Sequence, residues 1–386
     1  MKIPYGKQHI TEEDIEAVVK TLKSDFLTQG PAVSDFEEAF SKVVGSKYAV
    51  AFNNATAALH LSYKILNRDS LKKVFVTPIT FASSSNCVLF ENGIVEFVDI
   101  DPLTYNIDIN LMEEKLRKNP TDYQGMIIVD FAGLPLNTEA FRKLADKYNL
   151  WIIEDACHAI GGSYRNSKNE IIKCGSGIYS DLTVFSFHPV KHVATGEGGM
   201  VTTNNEEVYR HLMNLRSHGI QRDEKLFLEA SHGGWYHEMQ ELGYNYRMPD
   251  INASLGSSQI KRINSNIEKR SSIAMKYKDS FKNLPITFQK YNEENVFNAY
   301  HLFVIETDNR KILYEFLKER SVYTQVHYLP VYWHPYYQSI GFKKGLCPVA
   351  ENYYTKCLSI PMFHSMTDLE QGYVVDTIKD FFSSFL

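Results

Sequence analysis

Cysteine is scarce in this chain: Cys87, Cys157, Cys174, Cys347 and Cys357 are odd in number, scattered and without a CxxC pair. That usage supports neither a disulfide framework nor a zinc site, and no metal is expected. Long hydrophobic runs are missing too, since no apolar stretch approaches the roughly 18 residues needed to span a bilayer. Charge of one sign is not in excess: 41 Lys and Arg face 46 Asp and Glu, for a formal net charge of −5. Nothing therefore draws the whole chain to nucleic acid or to an anionic membrane, and any phosphate-bearing ligand must be held locally. The opening MKIPYGKQHITEEDIEAVV lacks the charged-then-apolar order of a secretory signal, so cytoplasmic residence is expected.

Three nucleotide and hydrolase fingerprints are also lacking. There is no GxxxxGK[ST], GEGG at 196–199 does not have GxGxxG spacing, and Ser186 is not in a GxSxG elbow. Walker-type ATP hydrolysis, Rossmann dinucleotide binding and Ser-His-Asp hydrolysis fall behind.

What is present is 386 residues, 44% of them hydrophobic, more than a single core normally organises, so two domains are expected with a soft boundary near residue 248. The first half alternates helical and strand patterns, predicting an α/β fold around a largely parallel sheet. Thr11 caps a helix to residue 23 whose Ile15, Val18, Val19 and Leu22 share a face. Ser34 with Glu37 reads as a capping box opening a second helix that ends at Gly45. Strands are predicted at 48–52, 74–78, 95–100, 126–131, 151–155, 183–188 and 199–203, with helices over 55–66, from a cap at Asn110, and around Ala140 to Tyr148. A long helix is expected from Asp250 through Lys261 to Tyr277.

Four places can carry chemistry. Lys191 follows a strand, in a loop between His188-Pro189 and GEGG; it is a solvated charge or an amine able to form a Schiff base with an aldehyde cofactor. Ser186, five residues earlier, can donate to a phosphate. Asp155 ends the apolar run LWIIED, at the strand end where such sheets collect ligands. It either caps the next turn or holds a proton on a pyridine nitrogen. His158 follows as a core histidine or a neighbour of the cofactor's phenolic oxygen. FNNATAALHL turns from strand into helix near Ala55 and Thr56, giving a helix start that is an ordinary cap or a phosphate cradle. Phe81, in TPITFASS, is core or a stacking ring.

Taken together, NNATAAL, TPITFAS, EDACHA, FSFHPVK, TGEGGMVTT, RSHGI and GYNYRM resemble the DegT/DnrJ/EryC1/StrS family of sugar aminotransferases, in order from the N-terminus to near residue 363. The resemblance implies the fold of aspartate aminotransferase (fold type I). A large domain, 1–248, would hold a mainly parallel seven-stranded sheet, and a smaller α/β domain, 249–386, would follow. It implies a homodimer using pyridoxal 5'-phosphate and L-glutamate to aminate nucleotide-linked keto sugars. By that similarity Lys191 holds the cofactor and moves protons, Asp155 pairs with the ring nitrogen, His158 lies beside the ring oxygen and Phe81 stacks on the ring. Ala55, Thr56 and Ser186 would hold the phosphate, and Asn245 would reach across to the phosphate of the other subunit.

LTQG at 27–30, Tyr5 in PYGKQ and TQVHYLPVY at 324–332 are more closely similar to the branch that aminates C4 of a UDP-linked 4-keto-6-deoxy-N-acetylhexose in pseudaminic acid biosynthesis. On that likeness Tyr5, Asp25, Phe26, Leu27, Thr28, Gln325, Val326, His327 and Tyr328 contact the nucleotide sugar. QVHY is otherwise one more half-buried strand, and Tyr5 an anchor for the N-terminus. Other readings are a family member acting on a different UDP- or dTDP-linked keto sugar, an aminodehydroquinate-type synthase, and a non-catalytic nucleotide-sugar-binding homologue. Family dehydratases carry histidine in place of the lysine, which Lys191 argues against.

Overall fold

The computed structural model describes residues 2–385. Helices α1 (Glu12–Leu22) and α2 (Pro31–Val44) lead into β1 (Tyr48–Phe52), α3 (Ala55–Leu66), β2 (Lys73–Val76), α4 (Ser83–Phe90) and β3 (Ile94–Phe97). Then come α5 (Ile109–Lys118), β4 (Tyr123–Val129), α6 (Thr138–Tyr148) and β5 (Trp151–Asp155). The short β6 (Ser163–Arg165) and β7 (Ile171–Lys173) precede β8 (Leu182–Ser186), β9 (Gly199–Thr203) and α7 (Glu206–Arg216). A ribbon of β10 (Ile220–Gln221) and β11 (Glu238–Met239) leads to α8 (Asp250–Ile260) and α9 (Ile263–Phe281). The rest is β12 (Thr287–Phe288), β13 (Val296–Phe297), β14 (Phe303–Glu306), α10 (Arg310–Glu319), α11 (Pro335–Ser339), α12 (Pro348–Lys356), β15 (Cys357–Ile360) and α13 (Asp368–Phe385).

Seven strands form the main sheet in the order β1-β9-β8-β5-β4-β2-β3. Strand β9 runs antiparallel to both of its neighbours, and the β8-β5-β4-β2-β3 pairs are all parallel. The expected mainly parallel seven-stranded sheet is therefore present. Its central strands are buried along their whole length, β4 over seven residues and β5 over five, which is why they read as continuous apolar runs. Met126, Ile128 and Ile152 pack on one side with Met112 and Leu116 of α5 and Phe141 and Leu144 of α6. Ile127, Ile153 and Val184 face the other way, onto Ala58 and Leu61 of α3.

Edge strand β1 is protected by charge. Glu37 of α2 accepts the Ala51 N–H at 2.7 Å, and Arg216 of α7 donates to the Ala51 carbonyl at 2.7 Å while pairing with Glu37 at 2.5 Å. Backbone groups that would otherwise template another strand are thus satisfied. That role also corrects the expected capping box. Helix α2 starts three residues earlier than Ser34, at Pro31, with Gly30 as N-cap. The distant Asp250 carboxylate caps it by accepting the N–H groups of Gly30 at 2.9 Å and Ala32 at 3.0 Å.

Two further expectations change. The α5 cap is Asp108, whose carboxylate accepts the Asn110 N–H at 2.8 Å, so Asn110 lies inside the first turn. The long helix expected from Asp250 is two, interrupted at Lys261 and Arg262. In α1 the apolar face does not enter the core: Ile15, Val19 and Leu22 are exposed, and buried Asp14 faces α8, held by Arg262 at 2.8 Å. No helix among the described residues is long and apolar enough to cross a membrane.

Candidate active site

Parallel strands deliver their carboxyl ends to one edge of the sheet, and a cavity of about 1100 Å³ opens there. Strand β5 brings Asp155, β8 brings Ser186, and β1 hands over through Asn53 and Asn54 to α3. The Asn54 side chain accepts the Ala57 N–H at 2.8 Å. The first two amides of the helix, on Ala55 and Thr56, are left for whatever occupies the cavity they line. Gly199 makes this possible. A Cβ there would lie 2.6 Å from the Asn54 backbone and 2.7 Å from the Ala55 nitrogen, so only glycine lets β9 pass so close to the helix start.

Asp155 is 4% exposed, accepting the Ser84 hydroxyl at 2.6 Å and the Cys157 N–H at 3.2 Å. Lys191 sits in a turn closed by its own N–H onto the His188 carbonyl at 2.8 Å, and its side chain reaches the cavity. Burial pushes its ammonium down to about 8, against the pull of the nearby Cys157 and Asp155. The only hydrogen-bond partner of Nζ among the described residues is Nε2 of His301, at 3.5 Å.

Histidines line this wall and are kept neutral. Burial first, and then the neighbouring charge of Lys191, drives His158 and His301 well below the usual range. The same causes bring His327 to about 3. His158 accepts the Ala132 N–H on Nδ1 at 3.2 Å, so Nε2 carries its hydrogen and meets the Tyr328 hydroxyl at 3.3 Å. His301 is fixed through its backbone, its carbonyl accepting from the buried Arg270 guanidinium at 3.1 Å. Gly133, at φ +101°, lets the two histidine segments close together. A Cβ there would lie 2.7 Å from the Tyr300 nitrogen and 2.9 Å from both the His158 carbonyl and the His301 nitrogen.

Ala55, Thr56, Phe81, Asp155, His158, Ser186 and Lys191 all meet at the cavity. So do Tyr5, Gln325, Val326, His327 and Tyr328, with the rings of Tyr5 and His327 5.5 Å apart. Asp25, Phe26, Leu27 and Thr28 do not: all four are exposed and outside the cavity of their own chain, as is Asn245. Sequence reasoning missed His301, Ser84 and Tyr246. Their signals are weak, a histidine before the strand FVIE, one serine in a run of three, and a tyrosine among aromatics. An amine tuned toward neutrality, a fixed carboxylate and a set of anion-binding amides within one cavity can hold a phosphate-bearing aromatic aldehyde and move protons beside it.

Comparison with known proteins agrees in fold and chemistry. A transaminase of Campylobacter jejuni subsp. jejuni described as UDP-4-amino-4,6-dideoxy-N-acetyl-beta-L-altrosamine transaminase is 37% identical over 382 residues, 97% of this chain and 96% of that one. The solved Helicobacter pylori PseC, an aminotransferase involved in the biosynthesis of pseudoaminic acid, superposes with a TM-score of 0.89 at 30% identity, covering 100% of both chains. The PLP-form of Spr1654, a putative sugar aminotransferase from Streptococcus pneumoniae, does so with a TM-score of 0.89 at 27% identity, again over 100% of both chains. Residues 8–379 match a single family along almost the whole sequence, and this chain belongs to it: the DegT/DnrJ/EryC1/StrS aminotransferase family.

Proposed function

We propose that this chain transfers the amino group of glutamate to C4 of a UDP-linked 4-keto-6-deoxy-N-acetylhexose, a step of pseudaminic acid biosynthesis. Members of its family are aminotransferases dependent on pyridoxal phosphate. The single observation that carries the reading is Lys191, an amine with its proton held loosely, in one cavity with Asp155 and the α3 amides. Transaminases of this named activity, 32% to 37% identical over nearly the whole chain, support the sugar assignment.

The cavity fits the cofactor by its donors. The Ala55 and Thr56 amides and the Ser186 hydroxyl suit a phosphate, and the buried, doubly hydrogen-bonded Asp155 suits a protonated ring nitrogen. When bound, pyridoxal phosphate supplies a ring that takes up the electron pair left as a substrate proton departs. The protein does the rest. Asp155, its position held by Ser84 and Cys157, would keep the ring nitrogen protonated. Phe81, 63% exposed at the cavity mouth, provides a flat apolar cover. Lys191 would hold the cofactor, and its Nζ, brought toward neutrality by burial, would accept and return the proton of the amine-bearing carbon. His158, neutral, carries its hydrogen on Nε2, where it meets the Tyr328 hydroxyl, and would stand beside the cofactor's ring oxygen.

The same reading makes the functional unit a homodimer. Exposed Ile15, Val19 and Leu22 of α1, with Phe26 and Leu27, supply an apolar surface for a second copy. Asn245 and the segment 25–28 of one protomer then serve the cavity of its partner. On this reading residues 1–248 form the cofactor domain and 249–386 the smaller one; a separate core around Tyr277, Phe303, Leu313 and Phe381 supports a second domain, while α8 packs back on α1 and α2. Cytoplasmic residence suits five cysteines that are all free.

Incubation with glutamate and a panel of UDP- and dTDP-linked keto sugars, read by product mass, tests the assignment. Mass gain on the UDP-linked 4-keto-N-acetyl sugar is expected. No turnover of that compound, or turnover confined to dTDP-linked sugars, sinks it.

A further inference from the structure

Helix α9 carries a buried cation that the transfer steps do not use. Two arginines among the described residues are buried, and they are held in opposite ways. Arg216 is paired with the Glu37 carboxylate at 2.5 Å. Arg270, 2% exposed, meets backbone carbonyls instead: its Nη1 donates to Tyr300 and His301 at 3.1 Å and to Met362 at 3.2 Å. Its Nε is buried without a partner, and no carboxylate among the described residues pairs with it. Burial lowers the guanidinium only to about 10, so the charge persists at neutral pH. Three carbonyl dipoles solvate that charge, and none cancels it.

The His301 carbonyl that accepts from Arg270 belongs to the residue whose ring meets Lys191 Nζ at 3.5 Å. The groups around this path are neutral. The His301 ring lies 4.4 Å from that of His158 and 5.8 Å from that of His192, and burial holds all three imidazoles below the usual range. His327 is lowered in the same way, and the Cys157 thiol is pushed well up by burial. Two full charges therefore act on Lys191, the Asp155 carboxylate that favours its ammonium and the Arg270 guanidinium that opposes it.

A charge without a counter-ion reaches far where backbone and neutral rings replace water, because neither a high dielectric nor mobile salt screens it. Its effect on a second cation is repulsive, and a lysine relieves that repulsion by giving up its proton.

We propose that Arg270 acts on catalysis through Lys191, its unpaired buried charge keeping Nζ in the free-amine form that attacks a carbonyl and accepts a proton. The proposal rests on the reading of Lys191 as the reactive amine. Arg270 lies outside the cavity, so it is a positioning residue and touches neither substrate nor cofactor.

The test is borohydride trapping of pyridoxal phosphate on Lys191 as a function of pH, in the full cofactor-free chain, for wild type, Arg270→Gln and Asn266→Asp. Arg270→Gln removes the charge and keeps an amide donor for the carbonyls. Asn266→Asp keeps the guanidinium and sets a carboxylate one helical turn from it, where Asn266 Oδ1 and Arg270 Nε are both buried and unpaired. It gives up one long bond, 3.5 Å, to the His192 carbonyl. Both variants should trap roughly fivefold more slowly at pH 7 and approach the wild-type rate at high pH. A rate lowered equally at every pH, or a displaced profile in Arg270→Gln alone, assigns the arginine a packing role and overturns the proposal. If Arg270→Gln does not fold, Asn266→Asp decides alone: an unmoved profile overturns the proposal. Wild type that traps nothing on Lys191 at any pH sinks the reading of the amine itself, and the role of Arg270 with it.

Discussion

Nζ of Lys191 and Nε2 of His301 lie 3.5 Å apart, although the two residues are 110 positions apart in the chain. His301 is the only hydrogen-bonding neighbour of that amine among the described residues, and its ring is held neutral by burial and by Lys191 itself. A neutral ring nitrogen beside the amine can orient it without competing for its proton.

His301→Leu is predicted to lower kcat about tenfold, the cost of one hydrogen bond, with little change in KM for glutamate. His301→Gln, which keeps an acceptor, should recover part of the loss. Steady-state kinetics at saturating cofactor decide the matter, and a change carried by KM alone would falsify the orienting role.

Lys191 itself predicts a pH profile. Burial disfavours the ammonium and brings the group to about 8, so the neutral amine accumulates as pH rises through that value. Borohydride trapping of pyridoxal phosphate on the cofactor-free chain, mapped to the Lys191 peptide by mass, should accelerate across pH 7 to 9 and then level off. An increase confined to the ordinary lysine range, about 10.4, would show that the site does not tune this amine.

Behind the sheet, Asp130, Glu154 and Cys174 meet with their ligand atoms within 4.8 Å of one another. Burial, then Glu154, drives the Asp130 carboxyl well above its usual range, and burial raises Glu154 as well. Folded carboxyls with raised values keep a proton that unfolded ones have released. The stability this arrangement supplies is present below the ordinary carboxylate range and lost as pH rises through the raised values. Asp130→Asn still accepts the Leu136 N–H and can donate an amide hydrogen to Glu154, in place of the shared proton. Thermal unfolding across pH 5 to 9 should show a flatter decline in the variant, and parallel curves would count against the shared proton.

Gly133→Ala should cost roughly 2–4 kcal/mol, because a positive φ and a backbone clash act together. The new Cβ meets the Tyr300 and His301 nitrogens, so the loss should appear in urea unfolding and also as weaker coupling of His301 to Lys191. A variant as stable as wild type would mean the loop can move aside.

The proposed sharing of sites between protomers is open to a mixing experiment. Lys191→Ala and Asn245→Asp, each defective alone, should recover activity when unfolded together and refolded. If Asn245 serves the partner, each mixed dimer has one site with both residues intact. If Asn245 serves its own chain, no site is intact and activity stays low.

Much of this molecule could be read along the sequence where the forces are local. WIIED announced a buried strand ending in a carboxylate, and NNATAAL announced a helix start, because period and capping depend on neighbours a few residues apart. The α2 cap could not be read, since Asp250 supplies it from 220 residues away and frees Glu37 for the sheet edge. Exposure of the α1 apolar face was equally hidden, because periodicity marks a face to be covered without saying by what. His301 was illegible for the same reason as the α2 cap: it reaches Lys191 only because Arg270 and Gly133 fold its segment inward.

Gly199 has a wider consequence. Backbone rests on backbone where β9 meets Asn54 and Ala55, with no side chain between them to adjust. The offset between the start of α3 and the strand that follows Lys191 is therefore set by bond lengths and van der Waals radii. Tyr5, Gln325 and Val326 line the same cavity but take no part in that contact, so substitutions there leave it in place. The architecture thus separates a part of the cavity fixed by backbone contact from a part shaped by side chains alone.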